Sequence, residues 1–392
     1  MMEKLRVKNG IDRLDKYGNL FEGKRLGLVT NPTGVDRNLR STVDILSKSF
    51  KLKALFSPEH GVRGNIQAGE AVSDYMDPET GIPVHSLYGE NKKPSPELLD
   101  GIDILTFDIQ DIGSRYYTFT YTMAYCMEAC AEAGKPFAVF DRINPVGGTA
   151  VEGNLLDPAF RSFVGRFPIA IRHGLTLGEL AMLINSEFGI HCRLEVARLE
   201  GWKREACFDD TDLPWVNPTP NMPSPETALI YNGTCLFEGT NVSEGRGTTK
   251  PFEVIGAPWI DPYRLADRMN GMHLEGVLFR PVFFSPVFSK YSGEQCGGVQ
   301  LHITDRHAFK PVECGVHLIY DIMDKYPDRF EWLEPKFSGK HYFIDLLAGT
   351  DQLRKRDSGA AALIGKWRHD SKAFTDLKKR YHLYDSLQEN IL

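Results

Sequence analysis

Between residues 25 and 140 the chain alternates short apolar runs with stretches whose apolar residues recur at helical spacing. Arg25–Thr30, Leu52–Phe56, Ile102–Phe107 and Pro136–Phe140 are compact and mostly apolar on both alternating positions, as strands buried on two faces must be. Arg40–Ser49 and Tyr117–Ala133 lie between them and predict helices, the second stopped by Gly134-Lys135-Pro136. Strand–helix alternation of this kind predicts an α/β fold with a mostly parallel sheet and right-handed crossovers, Rossmann-like in its N-terminal half. A further helix is expected over Leu175–Phe188, with Thr176 as its cap and Glu179 three residues on.

After about residue 230 the pattern changes. Val277–Phe288 and Gly298–Thr304 predict the strands of a hairpin or small sheet, and Val312–Lys325 and Ser371–Leu387 predict helices. The expected division is therefore a Rossmann-like domain over 1–230 and a smaller α+β domain over 231–392. Between them, Leu213–Pro225 contains five prolines, which stiffen a loop and suit either a fixed wall of a site or a linker.

The four strand ends carry the candidate chemistry. Asn31-Pro32-Thr33-Gly34 follows the first, Ser57-Pro58-Glu59-His60-Gly61-Val62-Arg63 the second, Asp108-Ile109-Gln110-Asp111 through Arg115 the third, and Asp141-Arg142-Ile143-Asn144 the fourth. In a parallel sheet such loops gather at the carboxyl edge, where ligands bind. Glu59 reads either as a helix cap or surface charge or, held between Pro58 and Gly61 beside His60 and Arg63, as a site residue that near apolar walls would serve as a general acid. Asp108 and Asp111, with Gln110 between and Tyr117 beyond, read equally as acids at a helix start, with Arg115 paired to one of them, or as ligands for sugar hydroxyls. Asp141 reads either as an edge-loop acid of the same kind or as a strand-end partner for Arg142. His173 reads as an orienting residue or an ordinary loop histidine. Glu244-Gly245-Arg246-Gly247-Thr248 reads either as glycines combined with an anion-binding arginine or as a glycine-rich turn with a solvated arginine.

Composition narrows the classes. The formal net charge is −6, with both signs interspersed, so no basic stripe exists to neutralise nucleic-acid phosphates. No stretch approaches the ~20 apolar residues of a membrane span. Met1–Val7 lacks the apolar run of a signal peptide, so the sequence as given is expected to be soluble and cytoplasmic, or exported if a leader was removed. Seven cysteines without a CxxC pair suggest buried thiols rather than a metal site. Neither GxGxxG nor GxxxxGK[ST] occurs, which argues against dinucleotide or ATP chemistry; no cofactor and no metal are expected.

Taken in order, SPEHGVRG (57–64), DIQDIGSRYYTF (108–119), DRINPVGG (141–148), RHGLTLGELA (172–181), PTPNMP (218–223), LFEGTNVSEGRGTTKPFEVIGAPW (236–259) and CGGVQLHITD (296–305) resemble the NamZ-type exo-β-N-acetylmuramidases over about residues 10–390. The resemblance implies a cleft between a Rossmann-like domain and a smaller C-terminal one. It also implies release of N-acetylmuramic acid from the non-reducing end of peptidoglycan fragments, the disaccharide MurNAc-GlcNAc being the smallest natural substrate. Peptidoglycan-derived muramyl saccharides are then the expected partners. Glycosidic cleavage usually uses two carboxyl groups. Glu59 is the first candidate, with His60 beside it; Glu244 is the candidate for the second, with Asp108 and Asp111 as nearer alternatives, and the substrate's acetamido group is a further route. Arg63, Arg115 and Arg246 are candidates for the lactyl carboxylate. Asp108, Gln110, Asp111, Tyr117, Asn144, His173, Asn221, Asn241 and Thr248 complete the expected sugar site. A non-catalytic muramyl-sugar-binding module is the competing reading.

Overall fold

The computed structural model describes residues 3–58, 61–63, 74–87, 89, 92–335 and 340–385. Twelve strands occur among them: β1 (Arg25–Thr30), β2 (Lys51–Ser57), β3 (Tyr75–Met76), β4 (Pro83–Ser86), β5 (Ile104–Asp108), β6 (Phe137–Phe140), β7 (Glu152–Leu155), β8 (Ala170–Arg172), β9 (Leu194–Ala197), β10 (Val254–Ala257), β11 (Val277–Phe284) and β12 (Cys296–Ile303).

The main sheet runs β3-β4-β2-β1-β5-β6-β9. All its pairings are parallel except the edge pair β3–β4. Counted along the chain, the parallel strands take the order 3-2-1-4-5-6, the doubly wound arrangement whose direction reverses between β1 and β5. Thr30 pairs with Asp108 at the carboxyl end of that reversal. The apolar runs expected as strands are these strands, and alternation within them explains why. Leu26, Leu28, Ile104, Ala138 and Phe140 face one core with Val43 and Leu46 of helix α1 (Thr42–Ser49). Val29, Leu105, Phe107, Phe137 and Val139 face the other, with Met123, Cys126 and Met127 of helix α2 (Phe119–Glu132). All seven cysteines are buried free thiols.

Helix α3 (Leu177–Glu187) starts at Thr176, whose side chain accepts from the Glu179 amide while Glu179 bonds back to the Thr176 amide. This is the reciprocal cap expected from the sequence. The second half holds a three-stranded antiparallel sheet, β10-β12-β11, with α4 (Pro225–Thr234), α5 (Pro262–Gly271) and α6 (Pro311–Lys325). Its apolar residues, among them Leu229, Phe237, Ile255, Val299 and Leu318, continue the α2-side core without a break.

The last helix differs from the expected Ser371–Leu387. Helix α7 spans Ala360–Lys378, because Leu363, Ile364 and Trp367 bury their side chains one to two turns before Ser371. It lies against the β7–β8 ribbon of the first half: the Ser371 hydroxyl donates to Gly153 O at 2.7 Å, and the buried Lys378 ammonium donates to Gly148 O and Gly174 O. Among the described residues no helix is long and apolar enough to cross a membrane.

Candidate active site

The loops after β1, β5 and β6 are tied together by short-range hydrogen bonds at the sheet reversal. The Thr33 hydroxyl accepts from the Gln110 amide at 2.8 Å, and Gln110 Nε2 donates to Asp111 O at 2.6 Å and Ile143 O at 2.9 Å. Asn31 turns the chain after β1 by accepting from the Thr33 amide at 2.9 Å, and its Nδ2 reaches Pro218 O in the proline-rich stretch. That stretch is therefore a wall of the crevice, not a free linker. Thr33, Asp36, Arg37, Gln110, Arg142 and Trp215 line a small, open depression here.

Asp111 sits one layer deeper. Its Oδ2 accepts from the Gly113 amide at 2.7 Å and lies 3.5 Å from His173 Nε2. His173 is 1% exposed and its Nδ1 accepts from the Leu175 amide at 3.2 Å, which assigns the ring proton to Nε2, toward Asp111. Asn144 bonds Leu175 O and the Val146 amide. It lies so close to Gly113 that a Cβ there would come within 2.4 Å of Asn144 Oδ1, with φ at +77°, so only glycine fits.

Aromatic rings lead from this edge to the second half. The Tyr117 hydroxyl donates to Thr219 Oγ1 at 3.3 Å and its ring meets Tyr231 edge-on. Tyr231 meets Phe252 at 4.7 Å, and the Arg246 guanidinium lies over Phe252 at 4.9 Å. Arg246 Nη2 bonds Glu238 at 2.5 Å and its Nε lies 3.4 Å from Glu244. Burial opposes the Arg246 charge, but Glu238 and Glu244 outweigh it and hold the pKa above its usual value. Among the described residues no bond reaches Arg246 Nη1. Glu244 is 2% exposed and its Oε2 accepts from Lys290 Nζ at 2.9 Å; the same ammonium donates to Phe237 O and Val242 O. Thr248 closes the turn by donating to Gly245 O at 2.7 Å.

Several expected ligands are committed elsewhere. Arg115 pairs with neither Asp108 nor Asp111. It is buried and donates to Asn154 O, Ile169 O, Leu347 O and Ala348 O at 2.7–3.2 Å, pinning the ribbon to the chain near residue 348 with no face for an anion. Asp108 spends both oxygens on Arg142 (2.6 and 2.9 Å) and on the Thr42 hydroxyl. Asp141 therefore does not pair with the Arg142 side chain; it accepts from Thr176, the Gly178 amide and Tyr384, and burial raises its pKa to about 7. Asn241 bonds Arg329 O and the Glu331 amide. Arg63 bonds Asp77 through two nitrogens and Asp44 through one, yet stays partly exposed. Asn221 is half-buried in the turn of the proline-rich wall. Glu59 and His60 lie outside the described residues; Pro58 and Gly61, which flank them, are buried at the end of β2. Nothing local marks Lys290, a lone lysine 46 residues from Glu244, as its partner.

Two family models cover the chain: the N-terminal part of exo-β-N-acetylmuramidase NamZ matches residues 26–226 and the C-terminal part residues 229–384. The chain is 50% identical to the peptidoglycan β-N-acetylmuramidase NamZ of Bacillus subtilis (strain 168), over 97% of this chain and 92% of that protein. Crystal structures of two DUF1343 family proteins from Bacteroides fragilis NCTC 9343 are also similar. One has a TM-score of 0.90 at 39% identity and covers 98% of this chain and all of the other. The second has a TM-score of 0.76 at 31% identity over 97% and 99%. The chain belongs to the NamZ family of exo-β-N-acetylmuramidases.

Proposed function

We propose that this protein is a glycosidase that releases N-acetylmuramic acid from the non-reducing end of peptidoglycan fragments, cleaving β-1,4 MurNAc-GlcNAc during cell-wall turnover or recycling. The observation that carries the reading is the 50% identity to a peptidoglycan β-N-acetylmuramidase over nearly the whole of both chains. In this reading residues 1–230 carry the acid and residues 231–392 complete the cleft.

Glu59, with His60 beside it, is the proton donor to the leaving oxygen. The Asn31, Thr33 and Gln110 loops, with Asn221 on the proline-rich wall, bound the sugar on one side. Glu244, Arg246 and Thr248 bound it on the other. Arg246 is the choice for the lactyl carboxylate: its guanidinium is oriented by Glu238 and by the Phe252 face, and Nη1 is left to receive an anion. Glu244, fixed between Lys290 and Arg246, is the second carboxylate and acts electrostatically on the positive charge that develops at the anomeric carbon. Asp111 and His173 brace the floor.

Purified protein should release 4-nitrophenol from 4-nitrophenyl β-N-acetylmuraminide. On the MurNAc-GlcNAc disaccharide, whose sugar leaving group must be protonated as it departs, Glu59→Gln should abolish cleavage while leaving thermal unfolding intact. A loss below about tenfold, ~1.4 kcal/mol of transition-state energy, would remove Glu59 from the role.

A further inference from the structure

The segment after β11 is a compact loop held by its own backbone and by two inward side chains. The Gly293 amide donates to Pro286 O at 2.8 Å and closes its base. Two side chains anchor it inward: Lys290, through Glu244, Phe237 O and Val242 O, and Tyr291, whose hydroxyl accepts from Trp259 Nε1 at 3.2 Å. Ser289 and Tyr291 take positive φ values of 71° and 57°, conformations that cost non-glycine residues free energy and persist where the surroundings over-determine them. The loop presses on the arginine-bearing turn of the candidate site. The Val287 amide donates to Gly247 O at 2.9 Å, and a Cβ on Gly247 would lie 2.4 Å from Phe288 O.

Against this anchoring, the two residues beside Gly247 point their apolar bulk outward. Val287 is 79% exposed and Phe288 52% exposed. Scattered surface apolar residues are ordinary. An adjacent valine and phenylalanine on a strained, doubly anchored loop, one residue from Arg246 through Gly247, form a prepared surface.

We propose that Val287 and Phe288 form an apolar platform at the rim of the cleft that packs against the ring of the leaving sugar, the pyranose joined to N-acetylmuramic acid. The inference rests on the muramidase reading given above. A pyranose ring offers a face of C–H groups that an aromatic ring covers, and a fixed loop adds this contact with little ordering cost. The platform thus selects a saccharide leaving group over a small one.

The test compares the MurNAc-GlcNAc disaccharide with the β-fluoride of N-acetylmuramic acid, whose leaving group is too small to reach the rim. For Phe288→Ala the ratio of kcat/KM for disaccharide over fluoride should fall about tenfold relative to the unsubstituted protein, mainly through KM. Phe288→Trp should restore most of the ratio. Because the side chain is exposed, the midpoint of thermal unfolding should move little in either variant. A ratio within twofold of the starting value in Phe288→Ala would overturn the proposal, as would an equal loss on both substrates. If the unsubstituted protein hydrolyses neither substrate, the muramidase reading fails instead.

Discussion

Replacing Asp108 by asparagine tests whether this carboxylate is part of the frame or of the sugar site. Asp108 is fully buried and Arg142 is 3% exposed. Two charged hydrogen bonds of 2.6 and 2.9 Å join them, and the guanidinium also donates to Val35 O at 2.8 Å. Asparagine keeps the shape and an acceptor for Thr42 but leaves Arg142 charged, buried and without the carboxylate it is hydrogen-bonded to. Breaking a buried pair in this way costs about 3–5 kcal/mol. Arg142→Met strands the carboxylate and should cost a similar amount. The double variant removes both charges, so its loss should fall short of the sum by about 1–3 kcal/mol. Urea unfolding at constant m-value reads all three. Refolded Asp108→Asn protein should keep most of its kcat/KM on a muramyl substrate, because no oxygen of Asp108 is left for a sugar hydroxyl. The reasoning is refuted if Asp108→Asn unfolds at the original urea midpoint while kcat/KM collapses, or if the two single losses simply add.

Other expectations follow from the same packing. Arg115→Met should lower stability by about 3 kcal/mol or more, since four buried carbonyls lose their donor, with no selective rise in KM for muramyl substrates; equilibrium unfolding beside steady-state kinetics decides this. Gly247→Ala should cost about 1–3 kcal/mol locally and disturb the rim, through both the positive φ of 81° and the contact with Phe288; a crystal structure or activity on the disaccharide would register it. Lys378, its pKa lowered by burial to about 7 from 10.5, binds fewer protons folded than unfolded between those values, so its contribution to stability rises with pH across about 7–10.5. Unfolding free energies measured over that range should climb less steeply in Lys378→Met. Asp141 has the opposite sign. Burial raises its pKa from 3.8 to about 7, so the folded state holds the extra proton and Asp141 disfavours folding progressively from about pH 4 to 7; Asp141→Asn should flatten that fall in a pH series of urea melts.

How much of this was legible in the chain follows from the range over which each feature is decided. The four central strands, their helices and the cap at Thr176 are set by contrasts within a few residues, and a linear pattern records them. The order of motifs along nearly the whole chain likewise sufficed to identify the family. Partners were another matter. Asp108 lies 34 residues from Arg142 and Glu244 46 from Lys290, and the carbonyls that hold Arg115 come from positions up to 233 residues away. No local signal separates an arginine that will meet an anion from one that will meet four carbonyls; burial and the crossing of loops at the sheet reversal decide it. Helix α7 shows the same limit, its start fixed by a surface supplied by the β7–β8 ribbon. The sequence by itself determined the parallel sheet, the polar strand ends and the family. Only the tertiary structure decided which charged side chains hold the frame and which are left for a ligand, because a buried charge is stable only beside the partner that folding brings to it.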